Sequence, residues 1–378
     1  MKFTAVSRIT RLPDPITGKV TSTTERLREI VDSAVQAEEL GFDGYGVEER
    51  HERPFISSSP SVVLSHIAAR TSVIRLFATI NALSLADSVR AFEDYSTLDH
   101  LSGGRLELIV GEDDDPVSAT PLHGSAEDRR DRNREAYELF RTLWREDAVT
   151  WTGKFRPPLR GAQTWPRPLQ QPIRIWHGSA ASTDSADLAA RWGDPLFCAN
   201  VTNPVDSYAE LVRHYRERWE SYGRDPAAIL IGAGTAGYYC APTSQQAIQT
   251  YRPIYNARLV RRRGLGLKPV FCSLEDAVER GSLLVGSPQQ IIDKVRRGHE
   301  RLGHEMMQLY ADADGLTETE HRGSLDLFVD EIAPVLRQEI PSRPFPKAQV
   351  SPIPAPTKKA APAALREDDS AMAEVSCL

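Results

Sequence analysis

Residues 74–110 read IRLFATINALSLADSVRAFEDYSTLDHLSGGRLELIV, and this stretch decides the fold. Ile74–Ile80 is a short apolar run of strand length. Asp87–Leu101 is a longer amphipathic run of helical length, and Leu106–Val110 is a second apolar run. Two strands joined through a helix run parallel, because parallel neighbours need a crossover.

The same alternation continues in both directions. Further strands are expected at Phe3–Val6, Asp43–Val47, Ile173–Trp176, Pro195–Ala199, Ile229–Gly232 and Met306–Tyr310. Between them lie helical patterns at Glu25–Leu40, Ser59–Ser72, Asp128–Arg145, Ser182–Trp192, Pro204–Tyr222, Ser244–Val260, Pro288–Gly303 and Glu318–Arg337. The first of these repeats Leu27, Ile30, Val31, Ala34, Val35 and Leu40 near the 3.6 period. Thr23 or Thr24 is expected to cap its start, and Gly41 to stop it. Eight strand–helix units predict an α/β chain closed as a (β/α)8 TIM barrel, rather than an open sheet. Two segments exceed the repeat, Arg145–Gln171 after strand four and Ala241–Gly286 after strand seven, and are read as insertions. Residues 1–340 form the barrel. From Pro341 the pattern stops and prolines recur at 341, 344, 346, 352, 354, 356 and 362, so 341–378 is read as a Pro/Ala-rich disordered tail.

Composition bounds the function. The chain has 378 residues, 40% hydrophobic and 26% charged, which excludes wholesale disorder. A net charge of −6 argues against nucleic acid as the main partner. The start, MKFTAVSR, is no signal peptide, and no apolar run is long enough to span a membrane. The four cysteines (198, 240, 272 and 377) lack C-x-x-C spacing, which suits free thiols in a reducing cytoplasm.

In a barrel of this type chemistry belongs at the C-terminal ends of the strands. After strand two stands Glu48-Glu49-Arg50-His51-Glu52. A histidine there offers acid/base chemistry, and Glu49 or Glu52 can fix its tautomer, although the run also reads as a solvated turn. After strand three, Ala78-Thr79-Ile80-Asn81 offers small groups against which a flat ligand can lie. After strand four, Gly111 opens the acidic run Glu112-Asp113-Asp114-Asp115, whose spacing is not that of a calcium loop; no metal is assigned. After strand five, Trp176-His177-Gly178-Ser179 leads into a helix N-terminus, a ready anion site. Gly232-Ala-Gly234-Thr-Ala-Gly237 matches a dinucleotide fingerprint only formally, since it closes the seventh strand and no helix follows. Arg258, Arg261, Arg262 and Arg263 form a solvated face or a lid that greets an anion. Among Arg129, Arg130, Arg132 and Arg134, one can reach a phosphate at the barrel mouth.

Several linked motifs resemble one family. Ala37-Glu-Glu-Leu-Gly-Phe-Asp43, Glu49-Arg-His51, Ser59-Pro-Ser-Val-Val-Leu64, Ile67-Ala-Ala-Arg-Thr71 and above all Phe92–Arg105 are similar to bacterial luciferase-like flavin monooxygenases, as are Ala189–Asp194 and Gly286-Ser-Pro288. The resemblance implies a usually dimeric barrel with reduced FMN, or a deazaflavin, at the C-terminal mouth. It places His51, with Glu49 and Arg50, in the catalytic position; many members carry two adjacent histidines where this chain has Arg50 and His51. It sets Ala78 and Thr79 against the isoalloxazine ring, and Gly111, Arg132, His177, Gly178 and Ser179 about the phosphate. Glu112 and Asp113 depart from the Lys or Arg and Gly that the family carries there, and a carboxylate near a phosphate repels it. The implied activity is oxygenation of a small organic substrate with O2, FMNH2 being supplied by a separate flavin reductase. Deazaflavin-dependent hydride transfer and a flavin-less, non-catalytic barrel subunit are the alternatives. A cytoplasmic homodimer without nucleic-acid or membrane partners is expected.

Overall fold

In the computed structural model, described at residues 1–81, 83–111, 126–180, 182–310 and 312–345, the strands close on themselves. The barrel strands are Lys2–Ser7, Gly44–Glu48, Arg75–Asn81, Leu106–Gly111, Ile175–Ser179, Leu196–Cys198, Ile231–Gly234 and Met306–Tyr310. All eight pairings are parallel, and the last strand returns to the first in the register Lys2↔Met306. Expectations at Glu112, Asp113, Cys377 and 346–378 lie outside the described residues.

Strand alternation sorts side chains between two layers. Ala5, Val47, Leu76, Leu108 and Leu309 point outward and join Ile30, Leu64, Phe92 and Phe140 of the surrounding helices. Phe77, Ile109, Trp176, Phe197 and Met306 fill the barrel's middle. Toward the mouth the interior is crowded by backbone instead. A Cβ on Gly46 would stand 2.6 Å from Thr79 Oγ1 and 3.0 Å from Gln308 Nε2, so strand two approaches its neighbours only because residue 46 has none. The floor is closed by charge: Arg75 donates to Glu107 at 3.1 Å, to Gln170 at 3.0 Å and to the carbonyls of Gly104 and Leu106.

Four expectations need revision. Ser22, not Thr23 or Thr24, caps the first helix, Thr23–Glu39; Ser22 accepts from Glu25 N–H and Glu25 returns a bond to Ser22 N–H. This is a capping box, which needs an acid three residues on, and Ser22 has it. Gly41 does take the left-handed stop position, φ +76°. The helix expected at Glu318–Arg337 is broken by a π-turn at Phe328–Ile332. Pro334 supplies the reason, since it has no N–H for an ordinary helical bond. Within 145–171 the chain forms an antiparallel pair, Val149–Trp151 with Leu159–Ala162, and a second short pair joins Tyr238–Cys240 to Leu284–Gly286. Residues 341–345, expected to open the tail, lie against the barrel floor: Arg343 bonds Glu305 and Phe345 packs on Phe77.

Candidate functional site

Backbone strain marks the C-terminal mouth. Among the described residues four non-glycine positions have positive φ: Ile9 (43°), Ile80 (46°), Asn200 (47°) and Asp314 (51°). Ile9, Asn200 and Asp314 follow the ends of strands one, six and eight, and Ile80 lies inside the end of strand three. For a β-branched residue this conformation is a true outlier, and such strain concentrates at functional sites. At Ile80 it accompanies a slip in the pairing of strands three and four between Ala78 and Asn81. The bulge re-aims the end of strand three toward the mouth.

Beside that bulge stands the acid/base patch. Glu49 lies 2.9 Å from His51 Nε2, and its other oxygen accepts from Asn81 Nδ2. Asn81 also bonds the Tyr95 hydroxyl at 2.5 Å, so the carboxylate that orients His51 is itself held. Arg50 turns aside: its guanidinium donates to Glu52 and lies over the Phe55 ring. Glu48 faces the barrel interior, 7% exposed, with Oε1 3.4 Å from the Tyr310 hydroxyl. Burial pushes its carboxyl above the usual carboxylate range, against the pull of Arg8 and Arg50. Thr79 also points inward and accepts from Gln308 at 3.3 Å, whereas Ala78 is packed behind the strand among the helices.

Across the mouth, strands four and five and the two helices that follow them enclose an open pocket of about 410 Å3. Gly111, His177, Arg130, Asn133, Arg134, Tyr137 and Ser185 line it. Arg130, Arg134 and Tyr137 share a face of the helix Ala126–Arg145 by the i, i+3/i+4 rule. The helix Thr183–Trp192 starts at the same pocket, capped by Ser182, and adds free N–H groups and a positive dipole end. Among the described residues one acid, Asp184, shares the wall, 3.5 Å from Arg130. Two guanidinium groups and a helix N-terminus at one pocket are donors of the kind that oxyanions take.

The wall behind it is fixed by Asp194. This buried carboxylate accepts from the Tyr137 hydroxyl and from Arg141 at 3.1 Å, and it lies 3.2 Å from His177 Nε2. Burial would raise its pKa, but His177, Arg141 and Tyr137 hold it below the usual range.

The structure therefore brings His51 and Glu49 together, and Gly111 and His177 together, while other expected contacts lie elsewhere. The Arg132 guanidinium lies on the Phe155 ring at 4.7 Å. The Ser179 hydroxyl bonds the Ser182 carbonyl at 3.0 Å, and the Gly178 carbonyl accepts from Ser185 at 3.4 Å. Sequence reading missed Asn81 and Tyr95, which hold Glu49, and Asp194, which holds His177. Of the four arginines that the sequence offered at this helix start, the resemblance singled out Arg132, whereas Arg130 and Arg134, on one helical stripe with Tyr137, line the pocket.

Comparisons with known proteins bear on the family and the fold. The luciferase-like monooxygenase family matches residues 1–305. The chain is 29% identical over 209 residues to an F420-dependent glucose-6-phosphate dehydrogenase of Kineococcus radiotolerans, a match covering 53% of this chain and 61% of that relative. It is similar in fold to the monooxygenase RslO1 of Streptomyces bottropensis, with a TM-score of 0.75 at 24% identity, covering 89% of this chain and 99% of the other. It is likewise similar to the oxygenating constituent of 3,6-diketocamphane monooxygenase of Pseudomonas putida, solved with FMN, with a TM-score of 0.72 at 19% identity over 88% of this chain and 98% of the other.

Proposed function

The chain belongs to the luciferase-like monooxygenase family, and from that premise we propose that it is a monooxygenase that uses reduced FMN and O2 to oxygenate a small organic substrate. The observation that carries the reading is the arginine-lined pocket at the ends of strands four and five, beside an inward-facing bulge on strand three. Reduced flavin supplies the electrons that activate O2; the protein binds, orients and dries it. In this reading Arg130, Asn133, Arg134 and the N-terminus of the helix Thr183–Trp192 hold the phosphate. Thr79 and the bulge at Ile80 give the ring a fixed platform. His51, oriented by Glu49, takes or returns a proton at the reacting centre, and the inward-facing Glu48 is a second carboxyl within the mouth. Gly178, Ser179 and Asp194 act behind the pocket, by keeping its wall in place. FMNH2 is supplied by a separate reductase, and the working form is a cytoplasmic homodimer.

A second reading, hydride transfer with a deazaflavin, is favoured by the name of the Kineococcus relative. Anaerobic titration of the purified chain with FMNH2 and with deazaflavin, followed by absorbance, separates the two. Saturable binding of FMNH2 is expected, weakened about tenfold by Arg134→Gln, as loss of one charge-assisted hydrogen bond implies. Binding of deazaflavin alone would establish the second reading, and binding of neither would leave a flavin-less barrel.

A further inference from the structure

The flavin reading gives no role to the insertion that carries the helix Ser244–Gly264. From Pro226 to Leu274 the chain has no Asp or Glu, yet it carries Arg252, Arg258, Arg261, Arg262, Arg263 and Lys268, in a protein whose net charge is −6. Neighbouring acids account for two of these cations. Glu275 pairs with Arg252, and Asp314, beyond the end of strand eight, pairs with Arg258, which sets this end of the helix beside the barrel mouth. The next acid along the chain, Asp276, pairs with Arg280. Arg261 is half-buried. Arg262, Arg263 and Lys268 are exposed and make no hydrogen bond or ion pair among the described residues.

Basic residues in the last turn of a helix commonly serve its free carbonyls. Here the backbone satisfies those carbonyls instead. Leu265 N–H bonds the Arg261 carbonyl at 3.1 Å, Gly266 N–H that of Arg263 at 3.0 Å, and Leu267 N–H that of Arg262 at 3.0 Å. Gly266, at φ +73°, makes the left-handed turn that this closure needs. The cationic side chains are therefore left to face outward. The segment beyond is tied down as well, since the Tyr255 hydroxyl donates to the Phe271 carbonyl at 3.2 Å. On this fixed end three aliphatic side chains stand in water: Val260 is 68% exposed, Leu265 60% and Val270 45%.

We propose that this end of the insertion docks the protein on an anionic membrane surface. Cations interleaved with exposed aliphatics, and no acid among them, match the interface of a bilayer. Headgroup phosphates take the charges of Arg262, Arg263 and Lys268, while Val260, Leu265 and Val270 sink to the acyl boundary. A single-stranded nucleic acid is a poorer fit, because it is held by stacked aromatic rings and residues 260–270 include none. An acidic protein is poorer too. The core of a protein interface sheds charge, whereas here a cation stands within two residues of every exposed aliphatic. The attachment is peripheral, since no helix among the described residues is long and apolar enough to cross a membrane. The lack of an apolar run in the sequence bears on crossing alone; a surface-bound segment needs none. The docking is independent of the flavin reading.

The test is flotation of the full chain with vesicles of phosphatidylcholine alone and of equal parts phosphatidylcholine and phosphatidylglycerol, at low and at high salt. Binding to the mixed vesicles is expected to be about a hundredfold tighter, as three cations near a charged surface imply, and to weaken as salt rises. Arg262→Gln combined with Arg263→Gln lowers it at least about tenfold. Leu265→Ser combined with Val270→Ser lowers it severalfold and leaves its salt dependence unchanged. All four side chains are exposed, so both variants keep the wild-type urea midpoint. No binding, equal binding to the two vesicles, or binding that survives the arginine changes would overturn the docking surface. So would poly-glutamate or duplex DNA binding as tightly as the mixed vesicles with the serine variant indifferent, which would make the patch a general polyanion acceptor. FMN affinity is expected to be the same in the arginine variant; weaker FMN binding there would make these cations a lid over the mouth and would also overturn the proposal.

Discussion

His304 is a residue whose neighbourhood fixes its behaviour. It is 1% exposed, both ring nitrogens lack hydrogen-bond partners among the described residues, and burial, followed by the charge of His299, lowers its pKa from 6.5 to about 3. The folded chain therefore keeps this ring neutral. Its contribution is fully present above pH 6.5 and is lost as the pH falls from there to about 3, because the unfolded chain takes up a proton that the folded chain refuses. One proton corresponds to about 1.4 kcal/mol per pH unit. Urea unfolding of wild type and His304→Leu across that window is expected to give a shallower acid limb for the variant; parallel limbs would contradict it. His304 also shows what single residues conceal. Sequence context sets His304 before strand eight and His51 after strand two, but its burial and its missing partners come from segments far away in the chain. Arg132 and Arg134 pose the same problem. Both begin one helix, and only the position of Phe155, in the hairpin that follows, decides which guanidinium is covered.

At the scale of elements the sequence was most readable where burial is one-sided or complete. Each barrel strand overlaps an expected apolar run, because strands covered on both faces have no polar alternation to blur them. Strands five and seven, expected at Ile173–Trp176 and Ile229–Gly232, begin two residues later, at Ile175–Ser179 and Ile231–Gly234. The short pair Val149–Trp151 and Leu159–Ala162 escaped notice because most of its positions are half-buried or exposed and carry no hydrophobic period. Residues 341–345 escaped for another reason. Two prolines in five residues read as a tail, yet the segment is an anchor. Arg343 donates to Glu305 at 2.7 Å and to the Ala227 carbonyl at 3.3 Å. The Phe345 ring meets Phe77 at 6.1 Å between centroids and has Lys2, Arg75 and Arg174 over its face. Phe345→Ala is expected to lower stability by about 1–2 kcal/mol, the worth of a half-buried aromatic with cation–π contacts. Chemical unfolding measures it, and an unchanged midpoint would mean that the floor needs no plug.

Across the whole molecule the two ends of the barrel have separate duties. The mouth carries the strained φ values at Ile9, Ile80, Asn200 and Asp314, the Glu48 oxygen that has no partner among the described residues, and the arginine-lined pocket. The floor instead joins its buried charges. Glu107 is fully buried, accepts from Arg75 at 3.1 Å and from Trp176 Nε1 at 2.7 Å, and has Arg174 at 4.0 Å. Asp99 is nearly as deep and accepts from Gln170 through both its backbone and its side chain. A barrel can hold strain at one end only if the other end is over-determined, and in this fold function belongs to the C-terminal mouth while the N-terminal face carries stability. Glu107→Ala is the sharpest separation of the two. It leaves the Arg75 guanidinium buried without its carboxylate, a loss of about 3–5 kcal/mol. The same variant leaves Gly111, Arg130, Arg134 and His177 in place. Urea unfolding should therefore register the loss in full while FMN affinity of the folded fraction stays within about twofold of wild type. A variant that kept its stability but lost FMN would show that the floor network tunes the mouth, and the division of labour between the two ends would fall.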